Sequence, residues 1–339
     1  MRDVAEIVDS LGGIAQKQQL VARGVRDIDL TRAVREGTAS RARQGWYTTL
    51  PDADSRVRAV RVGGRLTGIS AIVQAGGWVL GSHPLHVSVP DNAARLRSQH
   101  NRRVPFDTSA RGGVVLHWDG IAVCERGDVA SVGLLDALYR VVLHEDLETA
   151  VAALDWALRT RAVDRIDFES LMLRLPEDYR YIREWVDENC DSLPESLSRT
   201  RLRLRGHSVV SQVSIGAAEQ IDLLVDECVA LETDGEKFHL TRFDRDRRKD
   251  MSITMEKLYA FRPTARMVFY EWDSVLLAIE TAISVHKFAS SIGNSGHTTF
   301  QPMRVPGNRL RARRRVARSP EFSKGRGIGS SRRRWTKGE

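Results

Sequence analysis

Four side chains within eighteen residues have the types and spacing to do chemistry. Asp222 interrupts the apolar run QIDLLV, Glu232 and Asp234 stand two apart in ALETDGEKFH, and His239 follows. Residues two apart on a strand share a face, so Glu232 and Asp234 point the same way. Only Asp226 and Glu227 separate the two apolar runs, which predicts a tight antiparallel hairpin with Asp222 beside Glu232. A carboxylate is costly to bury without a partner. Two at close range call for a cation, and hard oxygen donors with water suit Mg²⁺. Glu195, in the first turn of a helix opening at Ser192, could add a third oxygen. An ion held this way orients water and stabilises charge on a phosphodiester. The alternative is that Asp222 pairs with an arginine while Glu232 and Asp234 cap a strand end.

The elements that must carry these groups are legible from Ser192 onward. SLPESLSRTRLRLRG reads as a helix capped by Ser192, with Pro194 in its first turn, a stripe of Leu193, Leu197 and Leu204, and Gly206 as its stop. Three strands are expected at 208–215, 220–225 and 228–233. A polar helix over TRFDRDRRKDMSITMEKLYAF, a fourth strand at ARMVFY (265–270) and a helix over WDSVLLAIETAI complete the order α-β-β-β-α-β-α.

Residues 1–52 form a separate pattern. VAEIVDSLGG, IAQKQQLVARG and DIDLTRAVREG read as three short helices stopped by glycines, and SRARQGWYTTL as a two-stranded ribbon turning at Gln44-Gly45. This is the layout of a winged helix-turn-helix. Arg32 and Arg35 on the third helix and Arg41 and Arg43 on the ribbon suit a major groove and its neighbouring phosphates. Short three-helix units also serve as protein adaptors. Residues 53–190 form a mixed α/β middle region with strands at LHVSVP and VVLHWDG, a helical hairpin from Ser131, and a helix over PEDYRYIREWVDENC. His117 in the second strand reads as an ordinary core histidine.

The bulk numbers set limits. The 339 residues leave room for two or three domains. No apolar run reaches the ~18 residues of a membrane helix, and the N-terminus has no export pattern. Cys124, Cys190 and Cys228 are scattered, as in a reducing cytoplasm. The chain carries +8 overall, but residues 301–339 hold 13 Lys and Arg against two acids, a local +11. Residues 1–300 therefore carry −3. The composition of 289–339 predicts a disordered, Arg-rich tail suited to salt-sensitive phosphate contacts, or a solvated appendage.

The string QIDLLVDECVALETDGEKFH…FDRDRRKD resembles the very-short-patch-repair (Vsr-like) branch of the PD-(D/E)xK restriction-endonuclease-like fold. That resemblance covers roughly 190–286 and bounds a domain at 191–288. It implies Asp222 and Glu232 as metal ligands, Asp234 and His239 at the active-site edge with His239 handling the water's proton, and Glu195 as the helix acid. It also implies Gln212 as an auxiliary group, with Asp246, Arg247 and Arg248 on the helix facing the site. Position 234, where the motif lysine would fall, is Asp; Lys237 lies beyond the turn. LGGIAQKQQLVARGV…LTRAVREGTASRARQGWYTTL resembles the winged-helix domain of AbiEi-like type IV antitoxins, a likeness that continues through GGRLTGISAIVQAGGW and LHVSVP.

The expected fold class is thus α+β: a winged helix-turn-helix, an AbiEi-like middle region, an αβββαβα restriction-endonuclease-like domain and a basic tail. Two functions follow. One is a Mg²⁺-dependent endodeoxyribonuclease acting on double-stranded DNA in defence or a mobile element. The other is a non-catalytic antitoxin and autorepressor, its nuclease fold kept for dimerisation or docking and its partner a nucleotidyltransferase toxin. Beside these two stands an adaptor with no nucleic-acid role.

Overall fold

The computed structural model describes residues 3–107, 113–120, 123, 126–215, 219–233 and 243–293, with the backbone alone for 219, 243–248 and 292–293. Among these the chain is mixed α and β, with three small open sheets. No described helix is long and apolar enough to cross a membrane. The tail expected from 289 lies outside the described residues, except that the last helix continues to Gly293.

The first unit runs α1 (Val4–Ser10), β1 (Ile14–Gln16), α2 (Lys17–Ala22), α3 (Asp27–Glu36), β2 (Ser40–Arg43) and β3 (Trp46–Thr48), with sheet order β1-β3-β2. Asp3 caps α1 by accepting from the Ala5 amide at 2.9 Å. Gly37, at φ +75°, closes α3 in the left-handed conformation that glycine adopts without strain. Residues 14–16 are a strand, where helical spacing suggested the start of the second helix. Pairing Ile14 with Thr48 and Ala15 with Tyr47 buries both apolar side chains, which two residues of extra helix would not. Val4, Val8, Leu20, Leu30 and Tyr47 form the local core.

The middle region comprises α4 (Ser55–Val62), β4 (Arg65–Leu66), α5 (Gly68–Gln74), β5 (Leu85–Pro90), β6 (Val114–Asp119), α6 (Leu134–His144), α7 (Leu147–Arg159) and α8 (Arg165–Arg174). The two expected strands pair in parallel, and β4 adds antiparallel to β5. The expected helix from Pro176 is a 3-10 helix, Glu177–Trp185. The largest core, built on Leu66, Ile72, Leu138, Leu154 and Leu171, lies between the sheet and these helices.

The last region holds α9 (Leu193–Leu204), β7 (Val209–Ile215), β8 (Glu219–Val225), β9 (Val229–Leu231), α10 (Phe243–Met255), β10 (Tyr259–Phe261), α11 (Ala265–Tyr270) and α12 (Trp272–Gly293). The sheet order is β10-β9-β8-β7, with β10 parallel to β9 and the other pairs antiparallel. Ser192 caps α9 by accepting from the Glu195 amide, an interaction worth about 1 kcal/mol. Leu202, not Leu204, completes the buried stripe of this helix. The β8–β9 turn is the expected two-residue one: Asp226 and Glu227 have φ +45° and +58°, the signature of a type I′ turn.

The fourth strand is displaced from the expected position. It is Tyr259–Phe261, and ARMVFY is the helix α11. The Thr264 hydroxyl caps that helix by accepting from the Met267 amide, and Val268 is fully buried. Its β-branched and aromatic residues suggested a strand, but the cap and one-sided burial favour a helix.

Candidate active site: a polar row across the C-terminal sheet

The register of the four strands aligns one polar residue from each. Ser211 faces Leu223 and Val213 faces Ile221, so Gln212 lies opposite Asp222. Leu223 faces Leu231, so the next step along β8 and β9 sets Asp222 against Glu232. Leu231 faces Phe261, and the Glu232 amide donates to the Phe261 carbonyl at 2.8 Å, which brings Arg262 alongside. The row reads Gln212, Asp222, Glu232, Arg262.

Gln212 interrupts β7 with φ +54°, a left-handed conformation that costs a non-glycine residue about 1 kcal/mol or more. Its side-chain amide turns to donate to Glu195 Oε2 at 3.2 Å. Glu195 also accepts from the Asp191 amide at 2.9 Å and the Ser192 hydroxyl at 2.7 Å. It is 5% exposed. Burial, with nearby Asp222 adding repulsion, lifts its carboxyl to about 7.

Asp222 Oδ2 accepts from the Thr233 amide at 3.0 Å, which fixes the carboxylate over the end of β9. Burial raises its pKa, against the pull of Lys249 and Arg262. Glu232 is 4% exposed, and burial raises its pKa too. Its Oε1 contacts the Lys249 ammonium, and its Oε2 lies 3.4 Å from the Arg262 guanidinium. Arg262 bridges on to Asp250 at 2.9 Å. Lys249 reaches the row because α10 also buries Ile253 beside Ala230. Residues four apart stack on one helix face, so the turn that seats Ile253 aims Lys249 at Glu232.

Of the residues singled out in the sequence, Glu195, Gln212, Asp222 and Glu232 therefore come together. Asp234, His239 and Lys237 lie outside the described residues. Asp246, Arg247 and Arg248 belong to α10, and their side chains are likewise outside. Lys249 and Arg262 were missed. Lys249 sits inside the quoted string FDRDRRKD, three residues past Asp246; only helical spacing from the apolar Ile253 could have picked it out.

With Glu195 beside it, the row brings together three carboxylates, Glu195 and Glu232 buried and Asp222 half-buried, each held above its ordinary pKa. That donor chemistry fits Mg²⁺. Two cationic side chains already face Glu232, so an ion there would share it with them. As the side chains stand, no three His, Cys, Asp or Glu residues among those described are arranged to hold a metal.

The four arginines assigned to DNA differ in their surroundings. Arg35 is exposed and Arg32 half-buried on α3. Arg41 lies over the Tyr47 ring, 5.5 Å from its centroid, and donates to the Tyr47 hydroxyl at 3.2 Å. Arg43 is turned inward: Nη1 donates to the Val62 carbonyl at 2.7 Å and the Arg61 carbonyl at 3.4 Å, and Nη2 donates to the Arg95 carbonyl at 3.1 Å. It satisfies the open carbonyls at the end of α4, where a cation also complements the helix dipole.

Searches with the sequence found no family model that matches it and no matching curated protein.

Proposed function

We propose that the chain is a DNA-acting protein whose C-terminal region hydrolyses phosphodiesters with Mg²⁺. The polar row, with Lys249 delivered to it by α10, is the observation that carries this reading. With Glu195 beside it, the row matches the acid on the first helix and the acids on the second and third strands of the restriction-endonuclease-like resemblance. It also sets the Lys249 ammonium against Glu232, in a chain whose motif position 234 is Asp rather than lysine. Asp222 and Glu232 would hold the ion, which contributes Lewis-acid polarisation of the phosphate and a water of lowered pKa. Lys249 stabilises the negative charge that grows on the phosphoryl oxygens. The Thr233 amide orients Asp222, and Gln212 holds Glu195. The order α1-β1-α2-α3-β2-β3, with β3 between the other two strands, supports a winged helix-turn-helix that brings duplex DNA to the row through Arg32, Arg35 and Arg41.

The test is nicking of supercoiled plasmid with Mg²⁺ or Mn²⁺. Wild type should relax the plasmid, Asp222→Asn should not, and Lys249→Met should lose about 10²-fold or more in rate. A wild-type protein inert across metals and salt concentrations sinks the nuclease reading.

One observation favours the second reading. Lys249 and Arg262 already neutralise Glu232, as in a structural ion-pair network. In that case the chain is a DNA-binding regulator or antitoxin with a toxin as partner. Specific binding to its own upstream DNA, unchanged in Asp222→Asn and weakened in Arg35→Ala, would then stand without cleavage.

A further inference from the structure

Apart from the polar row, the middle region gathers imidazoles and a carboxylate from three elements. His86 lies on β5, His117 on the neighbouring β6, and Glu145 immediately follows α6; His83 is in the loop before β5. His86 and His117 are 5% and 4% exposed. His117 Nε2 lies 3.3 Å from His86 Nδ1. His86 Nδ1 is 3.8 Å from Glu145 Oε1, and His83 Nδ1 is 4.0 Å from Glu145 Oε2.

These contacts are poor as hydrogen bonds. The N···N distance is longer than the usual ~2.9–3.0 Å, and the two N···O distances are beyond hydrogen-bond range. The tautomer of His83 sharpens the point. Its Nε2 is 2.9 Å from the Leu80 carbonyl, which can only accept, so Nε2 carries the hydrogen. In the neutral ring the lone pair on Nδ1 then faces a carboxylate with nothing between them. Along the other side of Glu145, His86 and His117 share at best one proton.

His86 and His117 are both buried within reach of one another. Neutral imidazoles are the form that binds a metal.

We propose that His86 Nδ1, His117 Nε2 and the Glu145 carboxylate, with His83 Nδ1 as a fourth donor, form a binding site for a divalent transition metal of the zinc class. Metal–nitrogen bonds of ~2.0–2.1 Å at tetrahedral angles set ligand atoms about 3.3 Å apart. The His86–His117 pair already has that separation. Glu145 Oε1 at 3.8 Å from His86 Nδ1 and Oε2 at 4.0 Å from His83 Nδ1 must draw closer to reach that spacing, and among the described residues no three such groups are yet arranged to hold a metal. Further features belong with a metal site. The His83–Leu80 bond is the backbone anchor that orients a ligating imidazole. His83 and Glu145, with side chains 20% and 13% exposed, leave a path from solvent. Mixed nitrogen and oxygen donors without sulfur select a zinc-, nickel- or cobalt-like ion over Mg²⁺.

The experiment titrates Zn²⁺ and Co²⁺ into the full chain after chelation and dialysis, read by calorimetry and by the visible bands of tetrahedral Co²⁺. One ion per chain is expected, with a rise in melting temperature on zinc addition. His117→Ala with Glu145→Gln should weaken binding about 100-fold or more, and His83→Ala about 10-fold. Asp222→Asn should leave it unchanged, which separates this site from the acidic row. Failure of the wild type to take up zinc or cobalt overturns the proposal, whatever the fate of the variants. So does binding that survives the double substitution, or that is lost with Asp222 alone.

Discussion

Asp155 on α7 is fully buried, and its carboxylate organises the join between α7 and α9. It accepts from the Arg199 guanidinium at 3.0 Å, the Ser196 hydroxyl at 2.6 Å and the Asp187 amide at 2.7 Å. Arg199 is itself 3% exposed. Replacing Asp155 by Ala leaves a buried guanidinium without its counter-charge, holding only the Trp185 carbonyl, and removes the acceptor for a hydroxyl and an amide. Breaking a buried pair from one side costs about 3–5 kcal/mol, and the two orphaned donors put the expectation at the upper end. Replacing both partners, as Asp155→Val with Arg199→Met, removes the desolvated charges together and should recover most of the loss. Urea unfolding followed by tryptophan fluorescence suits the measurement, because Trp156 and Trp185 flank the pair. It should be run at pH 8, where the carboxyl is ionised in both folded and unfolded chains. A single variant within about 1 kcal/mol of wild type would refute the reasoning, as would a double variant no more stable than the single. The same carboxyl makes a pH prediction. Burial, against the pull of Arg199, lifts it from 3.8 to about 6. The folded state thus holds its proton longer than the unfolded one. The stability it contributes is present below pH 4 and is lost as pH rises through 6, by about 3 kcal/mol. Stability curves from pH 4 to 8 should be flatter by about that amount in Asp155→Asn.

Other perturbations have defined outcomes. Arg43→Ala should lower stability by about 2 kcal/mol, because a charged donor leaves carbonyls at the end of α4 unmet; urea midpoints with an unchanged slope would register it. Arg35→Ala, by contrast, should leave stability within about 0.5 kcal/mol and reduce the salt dependence of DNA binding by about one unit of slope. Glu227→Gly should stabilise the chain by about 0.5–1 kcal/mol, since Glu227 holds a positive φ that glycine adopts freely, and a thermal melt would detect it. Gln212→Gly relieves the same strain in β7 but removes the donor to buried Glu195, so the two effects should offset to within about 1 kcal/mol in stability while nicking activity falls.

How far the site could be read from the sequence depended on the range of the interactions. The hairpin of β8 and β9 was legible because alternation and a two-residue turn are local, and they fix which residues face each other. Glu195 was legible through the cap at Ser192. Lys249 and Arg262 were not, because each reaches Glu232 only once α10 and β10 have packed, and nothing local distinguishes them from other basic residues nearby. ARMVFY misled because its β-branched and aromatic side chains describe a preference, whereas Thr264 and the seat of Val268 decide the outcome. His117 read as a lone core histidine because its neighbours, His86 and His144, are each about thirty residues away along the chain.

The inward turn of Arg43 has a consequence for how the first unit can be handled. Ile14 and Ala42 share a small core with Val57, Val60 and Ala130, and Arg43 grips the carbonyls that end α4. A fragment ending at residue 52 would expose that apolar seam and leave the guanidinium without its acceptors. The ribbon is therefore not a head on a tether. Its pitch is inherited from the region behind it, and a ligand bending the ribbon would have to strain α4 as well.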